Sequence, residues 1–369
     1  MTEAVIILLT IQIAILAVFV FQSIKQRRQC NKQCFCGKSD FDEFDVIIAA
    51  RENIGIIRNC LANIVSNGFK NIILCIDGGN SADADQLLKE FPHVHVIYNE
   101  TSLGKIKSQI RCLRISTKEK VLILDADISL INEEIDGFVS CFNETGVDFL
   151  CPYSVGISAE MNSLLFSIAE IDRYMRQRVV RAGRDAYGVS NLSGYCILAK
   201  RNKYIDIIDS DAIQDDVVAT INLLQKKYTV KTYHKAVCSE IERTSFKSYL
   251  LQKTRWTAGN IILLKSYSKL FRAADLSKAF AFSSSFLLWY WALWVDFLAF
   301  IIACFNPIIF LYLLIEGVIK YIGLTSAKPK SKNAFIVLYI LLWPIFSIMC
   351  LALTPYYLSG LIVEQKTRR

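Results

Sequence analysis

The segment Val121-Leu122-Ile123-Leu124-Asp125-Ala126-Asp127 sets two carboxylates one residue apart at the end of an apolar run. Four consecutive apolar residues suit a strand buried on both faces, and in open α/β sheets ligands collect beyond the carboxyl ends of the strands. Two carboxylates there suit a hard divalent cation, because Mg2+ is commonly held by one or two carboxylates together with substrate phosphates. Alone, the segment fits a metal-bound nucleotide site or a polar loop after an ordinary strand, since a short motif decides little. Other chemically capable clusters follow the same chain: Asp77-Gly78-Gly79-Asn80-Ser81, Leu103-Gly104-Lys105, Asn191-Leu192-Ser193-Gly194, Gln214-Asp215-Asp216 and Gln252-Lys253-Thr254-Arg255-Trp256. Taken singly each has a plain explanation. Asp77 reads as a turn residue ahead of Gly78, Asp215 and Asp216 as carboxylates favoured at a helix N-terminus, and Trp256 as a packing residue.

The elements that would position these clusters alternate. Phe44 to Ala50, Asn71 to Ile76, Val94 to Tyr98 and Val121 to Leu124 read as short strands, separated by helical stretches at Ile54 to Val65, Asp83 to Glu90 and from Lys105 onward. That rhythm predicts a mostly parallel sheet with crossover helices, in which the turns at Asp77 and Asp125 share one edge. Further on, Phe149 to Tyr153, Tyr195 to Ala199 and Tyr228 to His234 read as strands, and Glu160 to Arg181 and Asp216 to Leu224 as helices. The longer helix carries Arg173, Arg176, Arg178 and Arg181 on what reads as a solvated or headgroup-facing stripe.

The hydrophobic content is 53% over 369 residues, and it is concentrated at the two ends. Ala4 to Gln22 is an almost uncharged apolar run of spanning length, with neither a basic segment before it nor a small-residue cleavage site after it, which reads as a retained anchor. Ala281 to Leu324 fits two spans with Asn306-Pro307 at the hairpin, and Ala334 to Val363, broken by Pro344 and Pro355, a third. Ile261 to Phe271, with Lys265, Lys269 and Arg272, reads as an interfacial helix. The expected division is residues 1–36 as anchor and basic juxtamembrane segment, 37–260 as the catalytic domain, 261–280 as interfacial helix and 281–369 as membrane region.

The net charge of +8 is local. Lys25, Arg27, Arg28, Lys32 and Lys38 follow the first apolar run, while Lys328, Lys330 and Lys332, then Lys366, Arg368 and Arg369, flank the later ones. Basic residues beside spans favour the cytoplasmic side and anionic lipid, so a lipid bilayer is the expected partner and nucleic acid is not. On that rule the globular part faces the cytoplasm, although three later spans would leave the basic tail outside. Most of the 12 cysteines sit singly in apolar patterns, as reduced buried thiols do, while Cys30, Cys34 and Cys36 lie among the juxtamembrane cations as free thiols or acylation sites. His93, His95 and His234 lack metal-ligand spacing.

Asp-Gly, Asp-x-Asp, Asp-Asp and Gln-x-x-Arg-Trp in this order, with Ala50-Arg51-Glu52-Asn53 upstream, resemble the membrane-bound, processive family-2 glycosyltransferases, the hyaluronan, chitin and cellulose synthases and their relatives. The resemblance covers about residues 44 to 270 and the membrane layout. It implies a GT-A fold, that is, a Rossmann-like α/β domain, with N- and C-terminal transmembrane helices, a UDP-sugar donor, Mg2+ or Mn2+, inverting transfer and a polysaccharide acceptor. By the same resemblance Asp77 reads the uracil end of the donor and Lys105 lies along the nucleotide. Asp125 and Asp127 hold the diphosphate through the metal, and Asp216 is the general base. Ser193 and Gly194 belong to the acceptor-side loop, and Gln252, Arg255 and Trp256 hold the diphosphate and the acceptor end.

The chemistry asks for these types. Charge grows on the leaving diphosphate as the sugar–phosphate bond lengthens, which a metal and a bidentate guanidinium can meet. The attacking hydroxyl loses a proton, which one carboxylate can take. Trp256 offers a flat face to a sugar ring. The Asp215-Asp216 form and Leu192-Ser193-Gly194 stand nearest the hyaluronan synthases. A single N-terminal span and a short C-terminal membrane region suit instead a ceramide glucosyltransferase-like enzyme that glycosylates a lipid acceptor once, and a third expectation is an inactive membrane subunit that binds nucleotide or polysaccharide.

Overall fold

A computed structural model of the chain describes residues 2–30, 39–51, 54–78, 81–158, 163–209, 215–242, 245–262, 275–286, 292–329 and 331–367. Cys34 and Cys36, Arg51's neighbour Glu52, Gln214 and the cations Lys265, Lys269 and Arg272 lie outside the described residues. The chain divides into two compact units: Asn31–Ile157 with Ser190–Ile241, and Met1–Cys30 with Ser158–Val189 and Glu242–Arg369.

The first of these is an α/β unit. Strands β1 (Phe44–Ala50), β2 (Ile72–Asp77), β3 (Val94–Asn99), β4 (Lys120–Asp125), β5 (Ile128–Leu130), β6 (Phe149–Ile157), β7 (Cys196–Lys200) and β8 (Val230–Ile241) form one sheet in the order β3-β2-β1-β4-β7-β6-β8-β5. β1 pairs in parallel with β2 and β4, and β2 with β3, as the alternating pattern predicts. The second half of the sheet is mixed: β7 is antiparallel to both β4 and β6, β6 runs parallel to β8, and β5 closes the edge antiparallel to β8. Helices α2 (Ile54–Ser66), α3 (Ser81–Glu90), α4 (Lys105–Ile115), α5 (Asn132–Thr145), α8 (Arg201–Ile207) and α9 (Asp215–Gln225) complete the unit.

Side-chain spacing explains which faces are covered. On α2 the buried residues are Ile57, Cys60, Leu61 and Ile64, one helical stripe. They join Val46, Ile48, Leu74, Leu122 and Leu124 from the strands in a continuous core. The link from α4 into β4 is set by Asp45, whose carboxylate accepts from Ser116 Oγ at 2.7 Å and from the backbone N–H groups of Thr117 and Lys118 at 2.9 and 3.0 Å. That clasp fixes where β4 begins, and therefore where Asp125 ends it.

The second unit is helical. It comprises α1 (Thr2–Cys30), α6 (Leu164–Tyr174), a π-helical segment (Met175–Arg181), α7 (Ala182–Asp185), α10 (Phe246–Ile262), α11 (Leu276–Phe286), α12 (Ala292–Ala303), α13 (Pro307–Ser326) and α14 (Asn333–Thr367). Among the described residues three helices are long and apolar enough to cross a membrane: Thr2–Gln29, Pro307–Ser326 and Asn333–Leu358. Asn306 caps α13 by accepting from Ile308 N–H and Ile309 N–H, with Pro307 opening the helix, so the expected break is where the pair predicts it. α14 runs unbroken through Pro344 and Pro355, against expectation. Each proline frees only one carbonyl of the preceding turn, and neighbouring helices can accommodate that. Of the first span expected after Ala281, the described parts are the helical α11 up to Phe286 and α12 from Ala292.

The arginine stripe is also corrected. Arg173 and Arg181 are only 4% and 5% exposed. Arg173 pairs with Glu242, and Arg176 donates to the fully buried Asp172 at 3.1 Å, so acids inside the unit replace solvent. The π segment adds to this, since its i→i+5 bonds rotate the following face away from simple helical periodicity. Gln12 donates to Asp296 at 2.5 Å, and Lys320 pairs with Asp296 at 3.3 Å and Glu316 at 2.5 Å, which ties α1, α12 and α13 together.

Close approach of α1 to α7 depends on Gly183. A Cβ built there would lie 2.7 Å from the Phe19 carbonyl oxygen and 2.9 Å from its Cα, both backbone atoms that cannot swing aside. Gly183→Ala should therefore cost about 1–3 kcal/mol of stability through overpacking. Thermal unfolding in detergent checks it, with Gly317→Ala as the control, a helical glycine whose added Cβ would meet only Ile340 Cγ2 at an ordinary 3.5 Å.

Candidate active site

The site residues of the α/β unit stand at the ends of elements. β2 ends in Asp77 and its parallel neighbour β3 ends level with it, in the register Asp77 to Asn99. Asp77 is 3% exposed, and its two carboxylate oxygens accept four hydrogen bonds: Asn99 Nδ2 at 2.9 Å and Leu103 N–H at 2.7 Å on one, Ser102 Oγ and Gly104 N–H, both at 2.8 Å, on the other. Those bonds use essentially the whole acceptor capacity of a carboxylate. Burial pushes the Asp77 carboxyl up, but the hydrogen bonds from Asn99, Leu103, Ser102 and Gly104 outweigh it and bring it down to about 2. Asp77 thus holds the turn at Leu103-Gly104, where Gly104 has φ +91°, a conformation L side chains rarely adopt.

That turn delivers Lys105, the first residue of α4. Its ammonium lies 2.6 Å from Asp125 Oδ1, donates to the Gly194 carbonyl at 2.9 Å and stands 3.7 Å from Asp215 Oδ2. Asp125 ends β4, and its backbone N–H donates to the Tyr195 carbonyl at 3.0 Å, which ties the strand end to the Ser193-Gly194 loop. Burial raises the Asp125 carboxyl to about 6, with Lys105 opposing the rise. Asp127, two residues on, is exposed.

Asp215 and Asp216 open α9. The Asp216 carboxylate accepts from Val217 N–H at 2.9 Å, and its carbonyl accepts from Thr220 Oγ1 at 2.7 Å, whose oxygen in turn accepts from Leu192 N–H at 3.0 Å. This short relay binds the loop before β7 to the first turn of α9. A Cβ on Gly194 would lie 3.7 Å from Asp216 Cβ and 3.8 Å from Lys105 Nζ, so Gly194 is where the lysine and the aspartate meet. Withdrawal from water, then the neighbouring charge of Asp215, raises the Asp216 carboxyl to about 6. An acid that titrates near neutrality at a helix start is suited to taking up a proton.

The α/β unit therefore gathers Lys105, Asp125, Gly194 and Asp216, with Asp77 behind them as the brace of the turn. Two contributors escaped the sequence reading. Asp215 is a direct partner of Lys105 rather than only a helix-start carboxylate, and Asn99 is one of the four donors of the Asp77 clasp. The latter was signalled by two parallel strands of equal length ending in Asp and Asn. Asp125 and Asp127 offer hard oxygens to a divalent cation, and among the described residues no group of three or more His, Cys, Asp or Glu side chains could enclose one. Such a donor set fits an ion that takes its remaining ligands from a diphosphate and water.

Gln252, Arg255 and Trp256 stand on α10 in the helical unit. Arg255 is exposed and Gln252 half-buried. Trp256, expected to offer a sugar its open face, has Lys253 Nζ 4.2 Å and the Arg176 guanidinium 4.6 Å from its ring centre. Lys253 also pairs with Asp172, so this segment is braced through α6.

The Asp77 clasp gives a stability expectation. Its carboxyl titrates lower in the folded chain than in the unfolded one, so its contribution is present above about pH 4 and is lost as pH falls toward 2. Asp77→Ala should cost about 2 kcal/mol at pH 7 and progressively less below pH 4, read from denaturant unfolding at several pH values.

Comparison with known proteins bears on the family and the fold. Residues 120–358 match the family described as glycosyl transferase family group 2. An N-acetylglucosaminyltransferase of Bradyrhizobium diazoefficiens is 22% identical over 231 residues, covering 58% of this chain and 47% of the relative. One from Mesorhizobium japonicum is 24% identical over 232 residues, covering 58% and 54%. The chain thus spans about half the length of the curated relatives it matches. Among solved structures, the mannosyltransferase PcManGT of Pyrobaculum calidifontis, in complex with GDP-Man and Mn2+, superposes with a TM-score of 0.60 at 15% identity, over 95% of this chain and 99% of that one. With a GT-A-like mixed sheet and a family match over more than half its length, the chain belongs to glycosyl transferase family group 2.

Proposed function

We propose that the chain is an inverting, membrane-anchored transferase that passes a sugar from a UDP-sugar to a growing polysaccharide, with N-acetylglucosamine the first sugar to test. The observation that carries the reading is Asp216, a partly buried carboxylate raised to about 6, set beside Gly194 and Lys105 at the start of α9. In this reading Asp216 takes the proton from an acceptor hydroxyl as that oxygen attacks the anomeric carbon. Lys105 and Arg255 bind the diphosphate, Ser193 and Gly194 border the acceptor, and Gln252 and Trp256 hold the acceptor end. Asp77 acts on the nucleotide side by fixing the turn that presents Lys105. Asp125 and Asp127 would hold Mg2+ or Mn2+, which when bound neutralises charge on the leaving diphosphate.

The names of the relatives support N-acetylglucosamine as the transferred sugar. Basic residues after the first apolar helix support a catalytic domain, residues 37–260, on the cytoplasmic side, with 1–36 and 281–369 in or beside the bilayer and 261–280 along its surface. A second reading is one transfer to a lipid acceptor, supported by the three candidate spans among the described residues, since an enzyme held in a bilayer meets lipid there. The GDP-Man in the structural neighbour adds a GDP-sugar as the competing donor.

Membranes carrying the protein should be incubated with labelled UDP-N-acetylglucosamine, UDP-glucose and GDP-mannose. A ladder of polymer from a UDP-sugar supports the proposal. One glycolipid product supports the second reading, transfer from GDP-mannose alone overturns the UDP assignment, and no transfer from any donor returns the chain to a binding subunit.

A further inference from the structure

Lys105 is held by three separate pieces of chain. Its ammonium touches Asp125 at the end of β4 at 2.6 Å, the Gly194 carbonyl of the loop before β7 at 2.9 Å, and Asp215 at the start of α9 at 3.7 Å. A flexible four-carbon stem carries this charge, whereas the backbone beneath it is pinned by the four hydrogen bonds of Asp77 to the Ser102–Gly104 turn and Asn99. The Lys105 side chain is 35% exposed, so it has water into which to swing while its backbone stays fixed.

We infer that Lys105 is the resident counter-ion of Asp125 and occupies the position that a divalent cation needs, so that the site refuses the bare metal and admits it with a diphosphate. The inference rests on the nucleotide-diphosphate reading above. A divalent cation bonded to Asp125 would sit about 2.1 Å from a carboxylate oxygen, where an ammonium at hydrogen-bond distance from the same carboxylate repels it. Expelling Lys105 without replacement gives up all three of its partners for water alone. A diphosphate removes that penalty, since its oxygens give the lysine a new anionic partner as it leaves Asp125. Metal and nucleotide must then help each other to bind by the same factor, because coupling between two ligands is reciprocal. The exposed Asp127 is free of this lysine and would be the metal's first foothold.

The test is Mn2+ binding to the purified full chain, read from the electron paramagnetic resonance signal of free Mn2+, with and without UDP or GDP. For the wild type, bare Mn2+ should bind weakly, and at least tenfold more tightly with the diphosphate. Lys105→Met should bind bare Mn2+ at least tenfold more tightly than the wild type and show a smaller nucleotide effect. Adding Asp125→Asn to Lys105→Met should abolish the gain. Lys105→Gln, which can still donate to Gly194, provides a second variant should the first unfold on thermal melting. Unchanged or weaker Mn2+ binding in both folded variants overturns the inference, as does a gain that survives Asp125→Asn. A gain in Lys105→Met with no effect of UDP or GDP on the wild type keeps Lys105 as the counter-ion and removes the diphosphate reading instead. Nucleotide-dependent Mn2+ binding that the lysine variants leave unaltered does the reverse.

Discussion

Asp216→Asn is expected to slow sugar transfer by about 100- to 10,000-fold, the usual worth of a positioned general base. Asparagine keeps a side-chain oxygen to accept from Val217 N–H, so the start of α9 and its tie through Thr220 to Leu192 should survive. The loss should therefore fall on kcat, while competition by nucleoside diphosphate and the melting temperature stay near the wild-type values. The raised carboxyl adds a pH signature. A base acts when deprotonated, so kcat/KM of the wild type should fall as pH drops below about 6, roughly tenfold per unit, and level off above it. Asp216→Glu should retain some transfer and the acid limb, displaced along the pH axis. A pH–rate profile of the Asn variant that kept both rate and limb would remove Asp216 from the chemistry.

Much of this arrangement was legible because its signals are local. The apolar run Val121 to Leu124 followed by two carboxylates reads as a strand end without help from any other segment, and β4 does end at Asp125. The parallel half of the sheet was legible for the same reason, since strand and helix periodicities alternate there without interruption. In the other half the signals are not local. Tyr195 to Ala199 is an apolar run that looks alike in either direction, and only its pairing makes β7 antiparallel between β4 and β6. β5 has three residues, too few to show a period, and the end of β8 carries Ser239, Glu240 and Ile241, a mixed string without clean alternation.

The braces inside each unit were the least legible, because several of them join residues distant in sequence. Asp77 looked like a carboxylate waiting for a ligand, and in the fold its oxygens are taken by Asn99, Ser102, Leu103 and Gly104. Trp256 looked like an open platform, and two cations stand against its ring, one of them from the π segment after α6. Arginine spacing along α6 and that segment suggested a solvated face. Asp172, one turn before Arg176, is a partner that helical spacing offers, but Glu242, some seventy residues after Arg173, could be paired with it only in three dimensions. Sequence thus pointed to which residues could do chemistry and missed which of them are already occupied.

Arg255 is the residue for which occupation matters most, and it is exposed on α10. Lys253, two positions earlier, turns inward to Asp172, and Trp256 stacks with Lys253 and Arg176, so the local brace does not depend on Arg255 itself. Arg255→Ala should accordingly leave the melting temperature within a degree or two of the wild type, about the scatter of an exposed substitution. Transfer should fall about 100- to 1,000-fold if the guanidinium meets the charge that grows on the leaving diphosphate. Arg255→Lys separates charge from geometry. An ammonium keeps the positive charge but cannot make the parallel pair of hydrogen bonds that a planar guanidinium gives two phosphate oxygens, so most of the loss should remain. Because that charge develops in the transition state, kcat should carry more of the effect than the donor KM. A variant that raised KM alone would make Arg255 a donor-binding cation, and one that changed neither would leave Lys105 to meet the diphosphate unaided.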